Sequence, residues 1–315
     1  MSDTSTRTHH RVCHLCEAMC GLVIQTEGDK VTDVRGDKDD PLSRGHVCPK
    51  AVALQDIHED PDRLRKPMKR IRTAPGEYQH VEIEWSEALD LAADALASTI
   101  EKQGIDAIGA YFGNPSVHNY GMLTHQRNLF RHIRTRNRFS ATSVDQLPHH
   151  LVSLWCFGHM LLHPIPDVDR THYFLMLGAN PLASNGSIWT VPDVRQRLKD
   201  LKSRGGKLVV VDPRRTETAE LASEHLFIRP GTDAAFLLAM IHVLFRDDLV
   251  APGPLATFTD GLEEVAGAVI ELSPDWAAPL TGIAADDIVR IAHDLAQAEA
   301  GICYGRMGVS TQAYG

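Results

Sequence analysis

The stretch CHLCEAMC, residues 13–20, decides the fold, together with a fourth cysteine that follows much later. The full spacing is Cys13-x2-Cys16-x3-Cys20-x27-Cys48. A cubane iron–sulfur cluster needs four thiolates, one for each iron. This spacing supplies three thiolates from one short segment and the fourth from a residue much later in the chain. A structural zinc site also takes four cysteines, usually as two close pairs, and His46 could complete such a pair with Cys48. The spacing favours a [4Fe–4S] cluster and leaves zinc open.

The composition narrows the class of protein. The 315 residues allow about two domains, and 43% of them are hydrophobic. A net charge of −9 argues against a nucleic-acid partner, because phosphate contacts need a basic surface. No stretch approaches the roughly 20 apolar residues of a membrane span, so direct membrane insertion is not expected. The polar N-terminus lacks an apolar signal region, which predicts a cytoplasmic location.

The remaining cysteines, Cys156 and Cys303, stand alone in apolar sequence. A disulfide framework is typical of small secreted domains, whereas clustered cysteines in a reducing compartment more often bind metal. We therefore expect the first four cysteines to be ligands and the last two to be buried small hydrophobic residues.

Hydrophobic patterning predicts a fold of the α/β class. Gly21–Gln25 and Lys30–Arg35 are expected to form a hairpin, and Asp56–Gly76 to be a connector. A helix is expected from the N-cap Ser86 to Gly104, then a buried strand over Ile105–Phe112. Beyond these, strands and helices alternate, as in a parallel sheet with helices on both faces. The predicted strands are Tyr173–Leu177, Lys207–Asp212, Leu226–Arg229 and Ile302–Tyr304; the predicted helices are Leu147–Phe157, Val191–Ser203, Ala234–Asp247 and Asp286–Ala298.

These elements suggest three domains. Residues 1–65 form a small [4Fe–4S] domain with a β-hairpin, 66–140 are part of a second α/β domain, and 141–315 form a parallel-sheet domain that resembles dinucleotide-binding domains. The chain stops at Gly315 soon after a predicted strand. We therefore expect it to be a fragment, truncated at its C-terminus.

Several motifs together resemble a known family. The four cysteines followed by Pro49-Lys50 resemble the N-terminal cluster domain of the molybdopterin oxidoreductases, which include formate dehydrogenases, nitrate reductases and dimethyl sulfoxide reductases. Further matches follow in family order: Gly178-Ala179-Asn180-Pro181, Asp212-Pro213-Arg214-x-Thr216-x-Thr218-Ala219, Pro230-Gly231-Thr232-Asp233 and Gly305-x-x-Gly308-Val309-x-x-Gln312. The resemblance spans nearly the whole chain.

The resemblance implies the cofactors and the residues that bind them. The cofactors are a [4Fe–4S] cluster, two molybdopterin guanine dinucleotides (MGD), and Mo or W. One MGD is expected across the carboxyl ends of the parallel strands, where open α/β sheets bind ligands. The expected contacts are Gly178, Asn180, Pro181, Asp212, Arg214, Gly231 and Asp233. Local structure is the alternative for some of them, with Asp233 as an N-cap and Gly178 and Pro181 as turn residues.

Three residues are candidates for the chemistry. By resemblance, Lys50 lies between the cluster and the pterin, and Asp145 occupies the position of the protein ligand to the metal. Ser143 is a rival ligand, and Asp145 could instead cap the helix that follows. Arg306 could orient an anionic substrate or be a solvated strand-end residue.

The resemblance implies an oxidoreductase with an unidentified small substrate, such as formate or nitrate. Its electrons would pass through the cluster to an external donor or acceptor protein or subunit. The main alternative is a non-catalytic iron–sulfur electron-transfer or scaffold subunit. A zinc-stabilised binding domain is a third hypothesis.

Overall fold

The computed structural model describes residues 5–113 and 115–315. The chain divides into two compact units, residues 1–141 and 142–315. Within the described residues, no helix combines the length and the apolar character that crossing a membrane requires.

The first unit begins with an antiparallel sheet in the order β1-β2-β3. Its strands are β1 (Thr6–Val12), β2 (Gly21–Glu27) and β3 (Lys30–Gly36). The predicted hairpin is confirmed as β2–β3, whereas β1 was not predicted because its residues are polar and largely exposed. β1 pairs with β2 along its full length, so backbone hydrogen bonds rather than burial define it. Two short helices follow, α1 (Pro49–Val52) and α2 (Leu54–Glu59).

The prediction of a connector over Asp56–Gly76 is wrong at its start, which belongs to α2, and in its second half. β4 (Met68–Ala74) pairs with β5 (Glu77–Glu82) in an antiparallel hairpin. The charged side chains of β4 hid the strand pattern, and the turn between the strands was the available signal. Gly76 lies in that turn with φ +83°, a conformation that favours glycine.

The next helix, α3 (Trp85–Gln103), starts before the predicted N-cap Ser86, because Glu84 takes the N-cap position. Gly104 ends it as predicted, with φ 87°. The strand predicted over Ile105–Phe112 is wrong in its first half, where a 3-10 turn forms, and β6 covers only Ala110–Phe112. The strand is not buried, since Tyr111 is 73% exposed. The unit is completed by α4 (Pro115–His118), α5 (Tyr120–Ile133) and β7 (Arg138–Ser140), which pairs parallel with β6.

The second unit contains a four-stranded, fully parallel sheet in the order β10-β9-β8-β11. Its strands are β8 (Tyr173–Leu177), β9 (Lys207–Val211), β10 (Glu224–Leu226) and β11 (Gly301–Gly305). Three of the four predicted strands are confirmed within a residue. The fourth forms earlier than the predicted Leu226–Arg229. The chain is therefore a mixed α/β protein with a parallel sheet.

The second-unit helices are α6 (Leu147–Phe157), α7 (Pro181–Ser184), α8 (Val194–Ser203), α9 (Glu217–Leu221), α10 (Asp233–Arg246), α11 (Leu262–Val269), α12 (Pro274–Thr281), α13 (Ala285–Gln297) and α14 (Met307–Ser310). Of these, α8 packs on one face of the sheet, and α10 and α13 pack on the other. All five residues of β8 are buried, and successive side chains enter opposite cores. Leu175 packs in one core with Phe236 and Ile291, while Phe174 packs in the other with Trp189.

The strand order creates a switch point beside β8. The chain leaves β8 for β9 on one side and returns on the other side as β11, after the intervening helices. Ligands of open α/β sheets bind at the carboxyl ends of strands beside such a point. Gly178, Asp212 and Arg306 directly follow β8, β9 and β11, so the predicted residues share this edge.

Candidate functional site

The four cysteines of the predicted cluster lie at the ends of secondary structure in the first unit. Cys13 directly follows β1 and Cys20 directly precedes β2, and the Cys13 amide donates a hydrogen bond to the Cys20 carbonyl at 2.8 Å. Cys48 occupies the N-cap position of α1. Cys13 and Cys20 are buried in a small core with Leu22.

The four thiols lie close enough to affect one another electrostatically. Burial, together with the charges of the other three cysteines, raises the pKa of Cys20 to about 11. Burial also raises the pKa of Cys13, while the positive charge of Lys50 lowers it. The thiols of Cys13 and Cys20 are therefore protonated at neutral pH, and binding metal must displace those protons. Lys50 is exposed, and it lies close enough to Cys13 for its positive charge to lower the pKa of that thiol.

Within residues 5–113 and 115–315, no three His, Cys, Asp or Glu side chains are gathered closely enough to hold one metal ion. A zinc site needs all its ligands around a single ion. A cubane spreads its four thiolates over four irons. Four interacting thiols are the set of donors that a cubane takes.

In the second unit, two predicted site residues contact each other. Arg306 Nη1 donates to Asp145 Oδ1 at 2.6 Å, and Arg306 Nη2 donates to Ser187 Oγ at 2.6 Å. Arg306 is 7% exposed, so the suggestion of a solvated strand-end residue is wrong. Asp145 does not cap α6 either, since Gln146 takes that position. Ser187 was missed because it lies far along the chain in a turn with no distinctive pattern.

A histidine beside this pair was also missed. His149 Nε2 lies 3.0 Å from the Gly305 carbonyl oxygen, which can only accept, so this nitrogen carries the proton. Nδ1 then accepts from Ser310 Oγ at 3.2 Å. Burial lowers the pKa of His149, and the charge of Arg306 lowers it further. The ring is therefore neutral near pH 7 and ties α6 to the loop after β11.

The loop after β8 is fixed by residues of a different motif. Asn180 Nδ2 donates to Glu217 Oε2 at 2.7 Å, and Thr218 Oγ1 donates to Asn180 Oδ1 at 2.7 Å. Thr218 is fully buried. Asn180 is thus held from both ends of its amide, with the side chain oriented before any ligand arrives.

Two buried carboxylates lie further along the same edge. Asp212 accepts from the Arg214 backbone amide at 2.8 Å, while the Arg214 side chain is exposed. Asp233 accepts from Gln312 Nε2 at 2.7 Å and is 2% exposed. Burial raises the pKa of Asp233, and the nearby charge of Asp212 raises it further. Asp233 starts α10 inside the helix rather than as the suggested N-cap, which is Thr232.

The predicted glycines and proline have local structural reasons. Gly178 has φ +54°, and a Cβ there would lie 2.7 Å from the Val309 backbone nitrogen. Gly231 has φ +83° with open space around it, and Pro181 opens α7. The close approach of Gly178 to Gly308 joins the loops after β8 and β11, so this glycine shapes the edge by packing.

Comparison with known proteins gives two family matches. Residues 6–59 match the molybdopterin oxidoreductase Fe4S4 domain, and residues 63–269, well over half the chain, match the molybdopterin oxidoreductase family. The chain belongs to the molybdopterin oxidoreductase family. The cofactors of this family are a [4Fe–4S] cluster, molybdopterin in its bis-MGD form, and Mo or W.

The names of individual relatives indicate different reactions. Formate dehydrogenase H of Escherichia coli is 30% identical over 96% of this chain and 42% of its own length. The nitrate reductase of Symbiobacterium thermophilum is 26% identical over 90% of this chain and 38% of its own length. Among solved structures, acetylene hydratase of Pelobacter acetylenicus has a TM-score of 0.77 at 27% identity, covering 96% of this chain and 41% of its own. The chain spans about two fifths of these relatives' length.

The second unit leaves two buried polar groups that suit a bound cofactor. Arg306 Nε is buried and has no acceptor among the described residues. Asp233 is a buried carboxylate that accepts from the Gln312 side chain and from its own backbone amide, and its oxygens keep further acceptor capacity for a ligand. An unpaired buried polar group is costly, so Arg306 Nε indicates a partner from outside the described residues.

One sequence expectation outside the site is wrong. Cys156 and Cys303 are exposed rather than buried. Cys156 lies on α6, and Cys303 lies on β11 at the edge of its sheet. Apolar neighbours in sequence indicated the element type correctly, but they did not indicate which face the cysteine occupies.

Proposed function

We propose that the protein is a molybdenum or tungsten bis-MGD oxidoreductase that passes electrons between the metal site and a [4Fe–4S] cluster. One observation supports this most strongly: one chain combines the four-cysteine loop with a parallel-sheet edge that bears Asn180, Asp212 and Asp233. Either feature alone would leave a simpler protein possible. The proposed substrate is a small molecule that gives or accepts electrons in pairs, such as formate or nitrate.

In this proposal, the first unit serves as the relay. Cys13, Cys16, Cys20 and Cys48 are the cluster ligands. Lys50 acts between cluster and pterin, where its positive charge favours the reduced and more negative states. An external protein or subunit exchanges electrons with the cluster, and the protein works in the cytoplasm.

The second unit would hold one MGD in a dinucleotide-binding-like fold. Asp212 and Asp233 are acceptors for the N–H and O–H groups of guanine and ribose. Asn180 is already oriented by Thr218 and Glu217. The remaining proposed contacts are Gly178, Pro181, Arg214 and Gly231. The proposed domains are residues 1–65, 66–140 and 141–315.

Asp145 is the proposed protein ligand to the metal, since a carboxylate is a hard oxygen donor suited to a high-valent ion. When bound, the metal supplies two-electron oxidation or reduction of the substrate. The chain's own part is to orient the carboxylate through the contact with Arg306. Its half-buried position keeps bulk water from much of the group.

Metal analysis of the purified protein tests the proposal. An oxidoreductase contains Mo or W with about four irons per chain and gives a reducible cluster signal by electron paramagnetic resonance (EPR). Iron without Mo or W would instead support the scaffold subunit, and zinc without a reducible cluster would support a zinc-stabilised domain. Asp145→Ala then tests the ligand, because unchanged metal content and activity would exclude it.

A further inference from the structure

The contact between Arg306 and Asp145 gives the two carboxylate oxygens of Asp145 different surroundings. Arg306 Nη1 contacts Oδ1 only, and no residue in the described parts of the chain donates to Oδ2. The side chain of Asp145 is 30% exposed, so part of the carboxylate side chain is open to solvent. The two oxygens of one carboxylate are therefore in different situations.

Arg306 is itself fixed at three points. Its backbone amide donates to the Leu177 carbonyl at 3.1 Å, at the end of β8. Its Nη2 is held by Ser187 Oγ, and its Nη1 by Asp145. Ser187 has φ +51°, a left-handed backbone that is uncommon for a residue with a side chain. That backbone aims a hydroxyl at the guanidinium.

A guanidinium held in this way is poorly placed to bind substrate. Both terminal nitrogens already donate to side chains of the protein, and each keeps one further N–H group. Nε is buried and has no partner among the described residues. Because Arg306 is 7% exposed, a substrate in solution has little access to these N–H groups.

We propose that Arg306 is a positioning residue for Asp145, and Ser187 for Arg306. Arg306 holds Oδ1, so that Oδ2 is the oxygen left for the metal. This rests on the proposed function with Asp145 as the ligand, and it replaces the expectation that Arg306 orients an anionic substrate. Partners of this kind orient metal ligands and tune the metal, and their loss typically costs about 10- to 100-fold in metal affinity or activity.

The test uses the purified holoprotein and five variants. Arg306→Gln removes the charge and the fork, Arg306→Lys keeps the charge without the fork, and Ser187→Ala removes only the hydroxyl. Asp145→Asn marks the effect of changing the ligand itself. Arg170→Gln is the matched control, because Arg170 Nη1 contacts Asp167 Oδ2 at 2.7 Å on the exposed surface of the same unit.

The readouts are Mo or W content and the EPR g-values of the one-electron-reduced metal, before and after addition of formate or nitrate. We expect Arg306→Gln to shift the resting g-values in the same direction as Asp145→Asn and to lower metal content. Arg306→Lys and Ser187→Ala give smaller shifts, and Arg170→Gln none. Where Arg306→Gln does not accumulate as folded protein, the Ser187→Ala signal decides: a shift supports the inference and an unchanged signal overturns it.

Three other results distinguish a failure of this inference from a failure of the proposed function. If the wild type contains metal, and Arg306→Gln keeps the wild-type resting signal but loses its response to formate or nitrate, Arg306 binds substrate and the inference alone falls. If Asp145→Asn leaves the signal unchanged, Asp145 is not a ligand and the inference falls. A wild type without Mo or W overturns the proposed function, and the inference with it.

Discussion

The two candidate sites of this chain are built in opposite ways. The cysteine loop takes three of its four proposed ligands from eight consecutive residues, Cys13–Cys20, at the join of two paired strands. The second-unit site brings together Asp145, Ser187 and Arg306, which come from three distant segments. The first can be predicted from spacing, because neighbours in sequence remain neighbours in space. The second exists only once β8 and β11 pair.

The largest expected effect is on the local site. Cys20→Ser should abolish the [4Fe–4S] cluster, because Cys20 is a proposed ligand and is buried where no other cysteine can replace it. Iron content and the EPR signal of the reduced protein measure the loss. Cys156→Ser is the control, since Cys156 is exposed on α6 and should leave both unchanged. A full cluster in Cys20→Ser would show that the spacing had been misinterpreted.

The same contrast explains what the sequence could predict. The β2–β3 hairpin, strand β8 and the residues at the strand ends were all available from local pattern and motif order. The contact between Arg306 and Asp145 was not, although both residues had been selected separately. Neither was the bond from Thr218 to Asn180, which joins two motifs that the sequence presents apart. Such pairs depend on strand order, which hydrophobic periodicity does not specify.

Periodicity also failed to predict burial. Helix α3 has an apolar stripe, as the second-unit helix α13 does, yet no residue of α3 is buried in the described structure. Leu89 is 63% exposed, while Leu175 of β8 is fully buried. A stripe shows which face of a helix prefers a partner. It does not show that the partner is present.

A pair of leucine substitutions tests this difference. Leu175→Ala should lower the free energy of unfolding by about 2–5 kcal/mol, because it leaves a cavity in a packed core. Leu89→Ala is the matched control and should change it by about 0.5 kcal/mol or less. Denaturant unfolding of both variants beside the wild type gives the comparison. Similar losses in the two variants would mean that α3 is buried in solution.

The bond between the two motifs supports a smaller prediction. Thr218→Val keeps the shape of the side chain but leaves the Asn180 carbonyl oxygen and the Leu182 amide without the hydroxyl. Buried groups left unsatisfied cost about 1–3 kcal/mol, measured as a loss in unfolding free energy. Thr218→Ser retains the hydroxyl and should lose less. If valine were as stable as serine, the hydroxyl would not be what fixes Asn180.

Asp233 is expected to give the smallest change in stability, and one that depends on pH. Burial raises its folded pKa above the unfolded value of about 3.8, so the native state binds the proton more tightly than the unfolded state does. The wild type therefore loses stability as pH rises from below 3.8 through the folded pKa. Asp233→Asn cannot ionise and still offers an oxygen to Gln312.

Asp233→Asn should therefore match the wild type in acid and exceed it in unfolding free energy at neutral pH. Unfolding curves at several pH values measure this difference. If Asp233 also accepts a hydrogen bond from guanine, the same variant should bind the guanine nucleotide GDP more weakly, which calorimetry would detect. Higher stability combined with weaker binding is the expected result of substituting a residue that binds a ligand at a cost to the stability of the fold. A variant that is less stable at neutral pH would instead show that the Asp233 charge supports the fold.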